Sequence, residues 1–229
     1  MNIDPAEGLL AADNATLLKY AAKAIARQSG FEASFLAKPV VGEEGSSGHV
    51  HVSLWGSGTN VMTSEDATRP NAAMRHAIGG ILRHLPAMSA ILNPTINSYK
   101  RLIPGFFAPT TTTWGVDNRS TSVRAVALDE PHARIEIRRP GADTNPYLVL
   151  AALAVAISEG IHKNIEPPPP VSGDVSVAED GRHPAPPSSL ESAVTALRND
   201  SRFAALLGAD FCEYFAATRS GNCGSGRTP

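Results

Sequence analysis

Leu17, Leu18, Ala21, Ala24 and Ile25 recur at helical intervals across residues 12–29, and Gly30 supplies a stop, so this stretch reads as a one-sided helix packed on a partner surface. FEASFLAK at 31–38 reads as a strand and GEEGSSG at 42–48 as a glycine-rich turn. HVHVSLW at 49–55 alternates, which sets His49, His51 and Ser53 on one face and Val50, Val52 and Leu54 on the other. Residues 71–92 are helical in pattern, with Gly79, Gly80 and Pro86 as points that divide or kink the helix. His76 and His84 within it read as surface or packing residues without partners. HARIEIRRP at 132–140 alternates again, with Arg134, Glu136 and Arg138 opposite Ala133, Ile135 and Ile137. Asn145 and Pro146 make a helix start for residues 147–161, whose sequence is apolar nearly all round and therefore expected to be buried.

Between these elements, residues 93–124 are rich in Pro, Gly, Thr and Asn and read as loop with a short extended piece at each end. The segment places Lys100, Arg101, Arg119 and Arg124 among Tyr99, Phe106, Phe107 and Trp114. It is either a solvated basic loop or a set of guanidiniums suited to a carboxylate or phosphate in a partly dry cleft. Residues 166–189 form a long proline-rich loop. Ser188 and Glu191 have capping-box spacing ahead of a helix, and a last helical region from Arg202 to Thr218 is interrupted near Gly208. The expected organisation is one domain over 1–218 and a disordered tail over 219–229.

Composition narrows the function. Lys and Arg number 20 against 22 acids, a net charge of -2, so no global field favours nucleic acid or an anionic membrane, and any anion recognition is local. Two cysteines, Cys212 and Cys223, make neither a disulfide scaffold nor a four-ligand zinc site, which points to a cytoplasmic setting. No apolar run reaches the roughly 20 residues of a membrane span, and the first residues lack a leader pattern.

The polar strand faces carry the candidate chemistry. Two imidazoles at i and i+2, His49 and His51, suit a metal or phosphate role or a plain structural one. Glu136 between two arginines is either a cross-strand ion-pair ladder or a cation ligand flanked by anion-binding groups. Taken with Arg101, Arg119, Arg124 and Arg138, the set suits Mg²⁺ or Mn²⁺, a nucleoside triphosphate and a carboxylate substrate, hence phosphoryl transfer. Neither GxxxxGK[ST] nor GxGxxG is present, so a P-loop or Rossmann mode of nucleotide binding is not expected.

At these residues the chain resembles the glutamine synthetase family. The matching motifs are GSSGHVHVSLW at 45–55, NPTINSYKRLIPG at 93–105, WGVDNRSTSVR at 114–124 and RIEIRRPGADTNPYLVLAALAVAISEGI at 134–161. The resemblance runs from about Ile3 to Thr218 and is to the C-terminal catalytic part of the family. It implies an α+β fold, a curved antiparallel sheet with helices packed on its outer side, truncated at the N-terminus. It also implies ATP and a divalent metal. His49 and Glu136 match metal ligands, and His51, Ser53 and Arg134 match positions near the nucleotide. Arg101, Arg138 and Gly45 match contacts to the glutamate substrate, and Arg119 and Arg124 match the pair that stabilises the transferred phosphoryl group. The implied reaction is ATP-dependent phosphorylation of the γ-carboxylate of glutamate, followed by attack of ammonia or an organic amine.

Three departures qualify that implication. Phe107 stands where the family's ammonia-using members carry a glutamate over the ammonium site, which favours a bulkier amine. Glu44 stands where the family usually has Asn. The family's acidic ligands of the other metal and its small N-terminal β domain are expected upstream of Met1, so the chain is expected to be a fragment of a longer enzyme or a truncated reading frame, inactive or nearly so by itself. The family forms large homo-oligomeric rings, but no oligomeric state is predicted here. A non-catalytic relative with an assembly or regulatory role is the alternative. A guanidino kinase is a further one, against which the HVHVS strand and the WGVDNRSTSVR segment argue.

Overall fold

The structure is a computed structural model that describes residues 2–176 and 183–223. Helix α1 spans Leu9–Gln28. Strand β1 (Val50–Val52) and the small hairpin β2 (Trp55–Gly56) and β3 (Thr59–Asn60) precede the long helix α2 (Ala72–Leu92) and one helical turn, α3 (Ile96–Tyr99). Strands β4 (Trp114–Val116), β5 (Val123–Val126) and β6 (Arg134–Ile137) follow. The chain closes with helices α4 (Pro146–His162), α5 (Leu190–Asn199), α6 (Ser201–Leu207) and α7 (Ala209–Cys223).

The main sheet has the order β1-β6-β5-β4. β6 runs antiparallel to both β1 and β5, while β4 and β5 are parallel, so the sheet is mixed rather than antiparallel throughout. The cause is the 117–122 turn. Thr121 Oγ1 donates to the Asn118 carbonyl, and the Asn118 amide reaches the 171 and 173 carbonyls, so the chain is carried back to the start of the next strand instead of reversing.

Alternation decides which face of the sheet is buried. Val123, Ala125, Ile135 and Ile137 are fully buried in the main core, to which α2 contributes from Met74 to Leu92. The helices thus cover one face, and the polar face is left for the site.

Gly79, Gly80 and Pro86 neither divide nor end α2, which is continuous. A Cβ at Gly80 would overlap the Ala156 carbonyl oxygen and lie 2.8 Å from the Gly160 Cα. Gly80 lets α2 and α4 approach closely and Gly79 admits Ile165 just beyond α4, packing roles that a single-sequence reading takes for weakness. Helix α4 is one-sided, burying Val149, Ala152, Leu153, Ala156 and Ile157 while Ala151 and Ala154 are exposed.

Several other expectations change. Residues 31–38 are not a strand, because the backbone there pairs with side chains, Lys38 with Asn97, rather than with a neighbouring strand. The expected apolar stripe of α1 is largely uncovered, with Leu17 63% and Ile25 62% exposed and only Ala12 buried. Residues 96–99 are a helical turn, not loop, closed by a Thr95–Ser98 capping box and a bond from Thr95 to Asp143. The cap of α5 is Ser189 with Ser192, one residue beyond the expected Ser188 and Glu191. α7 continues past Thr218 to Cys223, and residues 224–229 lie outside the described residues.

The two histidines of α2 are also paired. His76 meets Glu166 at 3.0 Å. His84, 1% exposed, contacts Glu159 through Nε2 and Asp200 through Nδ1 at 2.7 Å. Its partners lie 75 and 116 residues away in sequence, a distance at which no local pattern announces them. No helix among the described residues is long and apolar enough to cross a membrane.

Candidate active site

Strand register assembles the site. On the central strand β6, Glu136 lies directly opposite His51 of β1 on one side and Arg124 of β5 on the other. Residues opposite one another in a sheet share a face, so the three side chains form a row on the polar side. Continuing the β1 register by one residue in each direction pairs the positions of His49 with Arg138 and of Ser53 with Arg134. The alternation of HVHVS and RIEIR thus meets across one strand boundary, although 83 residues separate His51 from Arg134.

The Glu136 carboxylate is the hub. His49 Nδ1 donates to Oε1 at 3.0 Å, Arg138 Nη1 donates to the same oxygen at 3.0 Å, and Arg124 Nη1 donates to Oε2 at 3.2 Å. His51 Nε2 stands 3.9 Å from Oε1. Burial alone would raise this carboxyl, whose side chain is 5% exposed, but the His49 bond and the Arg138 and Arg124 guanidiniums overcome it and hold the pKa at about 2. His51 is lowered too, but from a different cause. Burial lowers its pKa, opposed by Glu136 and reinforced by Arg134, His49 and Arg124. The site is therefore a carboxylate firmly ionised among cations.

A cavity of about 210 Å³ opens beside the hub, lined by Gly45, Ser47, His49, Arg101, Phe106 and Arg138 together with Glu44 and Phe107. Arg101 is buried and donates to the Arg139 carbonyl. Its burial, only partly offset by Asp143, lowers its pKa to about 10. Among the described residues the Nε atoms of Arg101, Arg124 and Arg138 are buried without a hydrogen-bond partner. Such donors fit an anionic ligand, since unmet buried donors are costly. Gly45 has no room for a side chain, because a Cβ would overlap Arg101 Cγ and sit 2.6 Å from the Ala37 carbonyl oxygen.

Of the residues singled out from sequence, His49, His51, Glu136, Arg124 and Arg138 converge, and Gly45 and Arg101 line the adjoining cavity. Arg134 lies at the outer edge, donating to His51 Nδ1 at 3.2 Å. Ser53 is exposed and accepts a bond from Trp55 Nε1. Arg119 is exposed on the 117–122 turn and, among the described residues, makes no hydrogen bond or ion pair with the hub, so the structure does not bring it to the cluster. Sequence reading missed Asp117, which shares Arg124 with Glu136 through a 2.9 Å ion pair. Its place in WGVDNRSTSVR, seven residues before Arg124, was the available signal.

As metal donors, His49 and Glu136 offer one imidazole nitrogen and one carboxylate, a pair suited to a hard divalent cation. No group of three or more His, Cys, Asp or Glu able to hold a metal occurs among the described residues. The pair therefore fits part of a coordination sphere. A cation would also have to take a Glu136 oxygen from a donor that now holds it.

An α+β domain whose mixed sheet presents an ionised carboxylate, imidazoles and guanidiniums at a small cavity is a small-molecule site of the anion- and cation-binding class. The chain belongs to the glutamine synthetase family: the family model described as "Glutamine synthetase, catalytic domain" matches residues 1–225. It is 41% identical over 207 residues to the glutamine synthetase of Thermococcus kodakarensis, covering 88% of this chain and 46% of that protein. It is 38% identical over 216 residues to that of Thermus thermophilus, covering 92% and 48%. Among solved structures it is similar to a GmaS/ADP complex, with TM-score 0.89 and 31% identity over 97% of this chain and 53% of that one. It is also similar to apo GmaS, with TM-score 0.84 and 32% identity over 94% and 50%. The chain spans about half the length of the curated relatives it matches.

Proposed function

We propose that this chain carries the glutamate-activating site of an ATP-dependent ligase that joins glutamate to ammonia or an organic amine. The observation that supports the reading best is the Glu136 hub, tied to His49, Arg124 and Arg138 beside a cavity walled by Arg101. In this reading Arg101 and Arg138 hold the carboxylates of glutamate, and the Gly45 backbone contacts the amino acid. The γ-carboxylate oxygen takes the terminal phosphoryl group of ATP as the bond to ADP breaks, with Arg124 facing the charge that develops on it. The amine nitrogen then attacks the acyl carbon, phosphate leaves with the bridging oxygen, and the nitrogen gives up a proton. Mg²⁺ or Mn²⁺ held by His49 and Glu136 would supply charge neutralisation on the phosphates. His51, Ser53 and Arg134 lie toward the nucleotide.

Phe107 tilts the acceptor toward an organic amine. It lines the cavity with an apolar ring, 76% exposed, where a carboxylate would favour ammonium. With two metal donors in place, the chain alone is proposed to be inactive or nearly so, because metal-borne charge neutralisation is a main source of rate in phosphoryl transfer. The incomplete donor set is also what favours the second reading, a non-catalytic relative.

Phosphate release from ATP and L-glutamate tests both parts. The isolated chain is expected to release phosphate at background with either ammonium or putrescine. Joined to the upstream half of a glutamine synthetase, it is expected to release phosphate faster with putrescine than with ammonium. Turnover by the isolated chain would sink the first expectation, and an ammonium preference the second.

A further inference from the structure

We infer that Lys38 is a positioning residue that holds the two lips of the cavity in register, an inference that rests on the reading of that cavity as the substrate pocket. Lys38 is 6% exposed and lies in irregular chain. Its backbone is clamped at both ends by one side chain: Asn97 Oδ1 accepts from its N–H at 2.9 Å, and Asn97 Nδ2 donates to its carbonyl at 2.9 Å. Asn97 belongs to α3, which leads directly to Arg101, so the root of Lys38 is fixed relative to the guanidinium in the cavity wall.

From that root the ammonium reaches both lips. Nζ donates to the Glu43 carbonyl, the residue before Glu44 and Gly45, and it lies 4.1 Å from the centroid of the Phe106 ring. Glu44, Gly45, Phe106 and Phe107 are all cavity-lining residues. A buried cation needs compensation, and among the described residues a carbonyl oxygen and a ring face supply it. One group therefore couples the 43–45 lip to the 106–107 lip.

The second lip needs such an anchor. Phe107 has φ 54°, a left-handed conformation that a bulky residue rarely adopts, and it follows Gly105 at φ 82°. Strain of this kind persists only where neighbours over-determine the backbone. Lys38 on the adjoining ring is such a neighbour, and it explains how an exposed aromatic is kept at the rim rather than collapsing onto the cavity.

The test uses the full chain labelled with ring-¹³C phenylalanine, which carries seven such residues. The Phe106 signal is assigned by its loss in Phe106→Leu. In Lys38→Met the Phe106 and Phe107 signals are expected to move toward solvent-exposed positions while the other five hold, and Lys38→Arg is expected to restore them. L-glutamate, titrated on the same spectra, is expected to bind about tenfold more weakly to Lys38→Met, because the two lips must then be ordered at the moment of binding. An unmoved Phe106 signal, or equal L-glutamate affinity in Lys38→Met and the unsubstituted chain, overturns the inference. Should Lys38→Met fail to fold, Phe106→Leu decides: a shifted Phe107 signal supports the coupling and an unshifted one overturns it. If the unsubstituted chain does not bind L-glutamate, the reading of the cavity fails, while the Phe106 signal still judges the contact to Lys38.

Discussion

Replacing Glu136 by alanine is expected to lower the unfolding free energy of the chain by about 3–5 kcal/mol, because it leaves the Arg138 guanidinium buried without its counter-charge and Arg124 with only the exposed Asp117. The Arg124 and Arg138 side chains are 17% and 9% exposed, so solvent screens them poorly. The pH dependence follows from the depressed carboxyl. Its folded pKa of about 2 lies below the ordinary 4.5, so its stabilising contribution is fully present above about 4.5 and is lost as pH falls toward 2. That difference corresponds to about 3 kcal/mol, in line with the direct estimate. Urea unfolding at pH 7 and pH 3 measures both quantities. The unsubstituted chain is expected to lose stability between the two, and Glu136→Ala to start lower and lose less. Equal urea midpoints for both proteins at pH 7 would show that the hub does not hold the sheet together.

His84→Ala is the second large effect expected, about 3–5 kcal/mol, and it arises far from the site. Glu159 is buried by α4 against α2. Burial raises its carboxyl, while bonds from His84 and Arg202 lower it further than burial lifts it. Removing the imidazole leaves a cavity beside Phe203, whose tilted ring has its centroid 5.4 Å away, and leaves the buried carboxylate with Arg202 as its one ionic partner among the described residues. The same sign argument applies. A carboxyl held below its ordinary range stabilises the fold above that range and ceases to as pH falls through it. His84→Ala is therefore expected to melt well below the unsubstituted chain at pH 7, with a smaller difference near pH 3. Thermal melts at the two pH values measure this, and coincident melts at pH 7 would contradict it.

These two residues mark what the sequence made legible. Glu136 sits in a period-2 pattern, and so do His49 and His51. Alternation alone assigned each set to a polar face, and the sheet joined the faces through the β1–β6 register. His84 sits in α2, where the sequence pattern gave it no partner, and its partners come from α4 and the α5–α6 junction, so local periodicity carries no trace of them. The same limit hid Arg139. It is fully buried and spans the Pro109 and Pro187 carbonyls, yet beside Arg138 in sequence it looks like one more surface cation. Residues 31–38 failed as a strand for a related reason, since side-chain hydrogen bonds from Asn97 replaced a strand neighbour. Gly79 and Gly80 looked like breaks because what they accommodate, the α4 backbone and Ile165, lies beyond the local window.

The central claim is that His49 and Glu136, 87 positions apart, act as one cation-binding pair under the arginines. The most direct test is Mn²⁺ binding in the presence of ATP, read by electron paramagnetic resonance on the full chain. The account predicts saturable Mn²⁺ binding that weakens about tenfold or more in His49→Ala and in Glu136→Gln, as loss of one ligand from a small site requires. It predicts little change in Lys163→Ala, a substitution just past the end of α4. Failure of the unsubstituted chain to bind Mn²⁺, or binding that His49→Ala leaves unchanged, would contradict it.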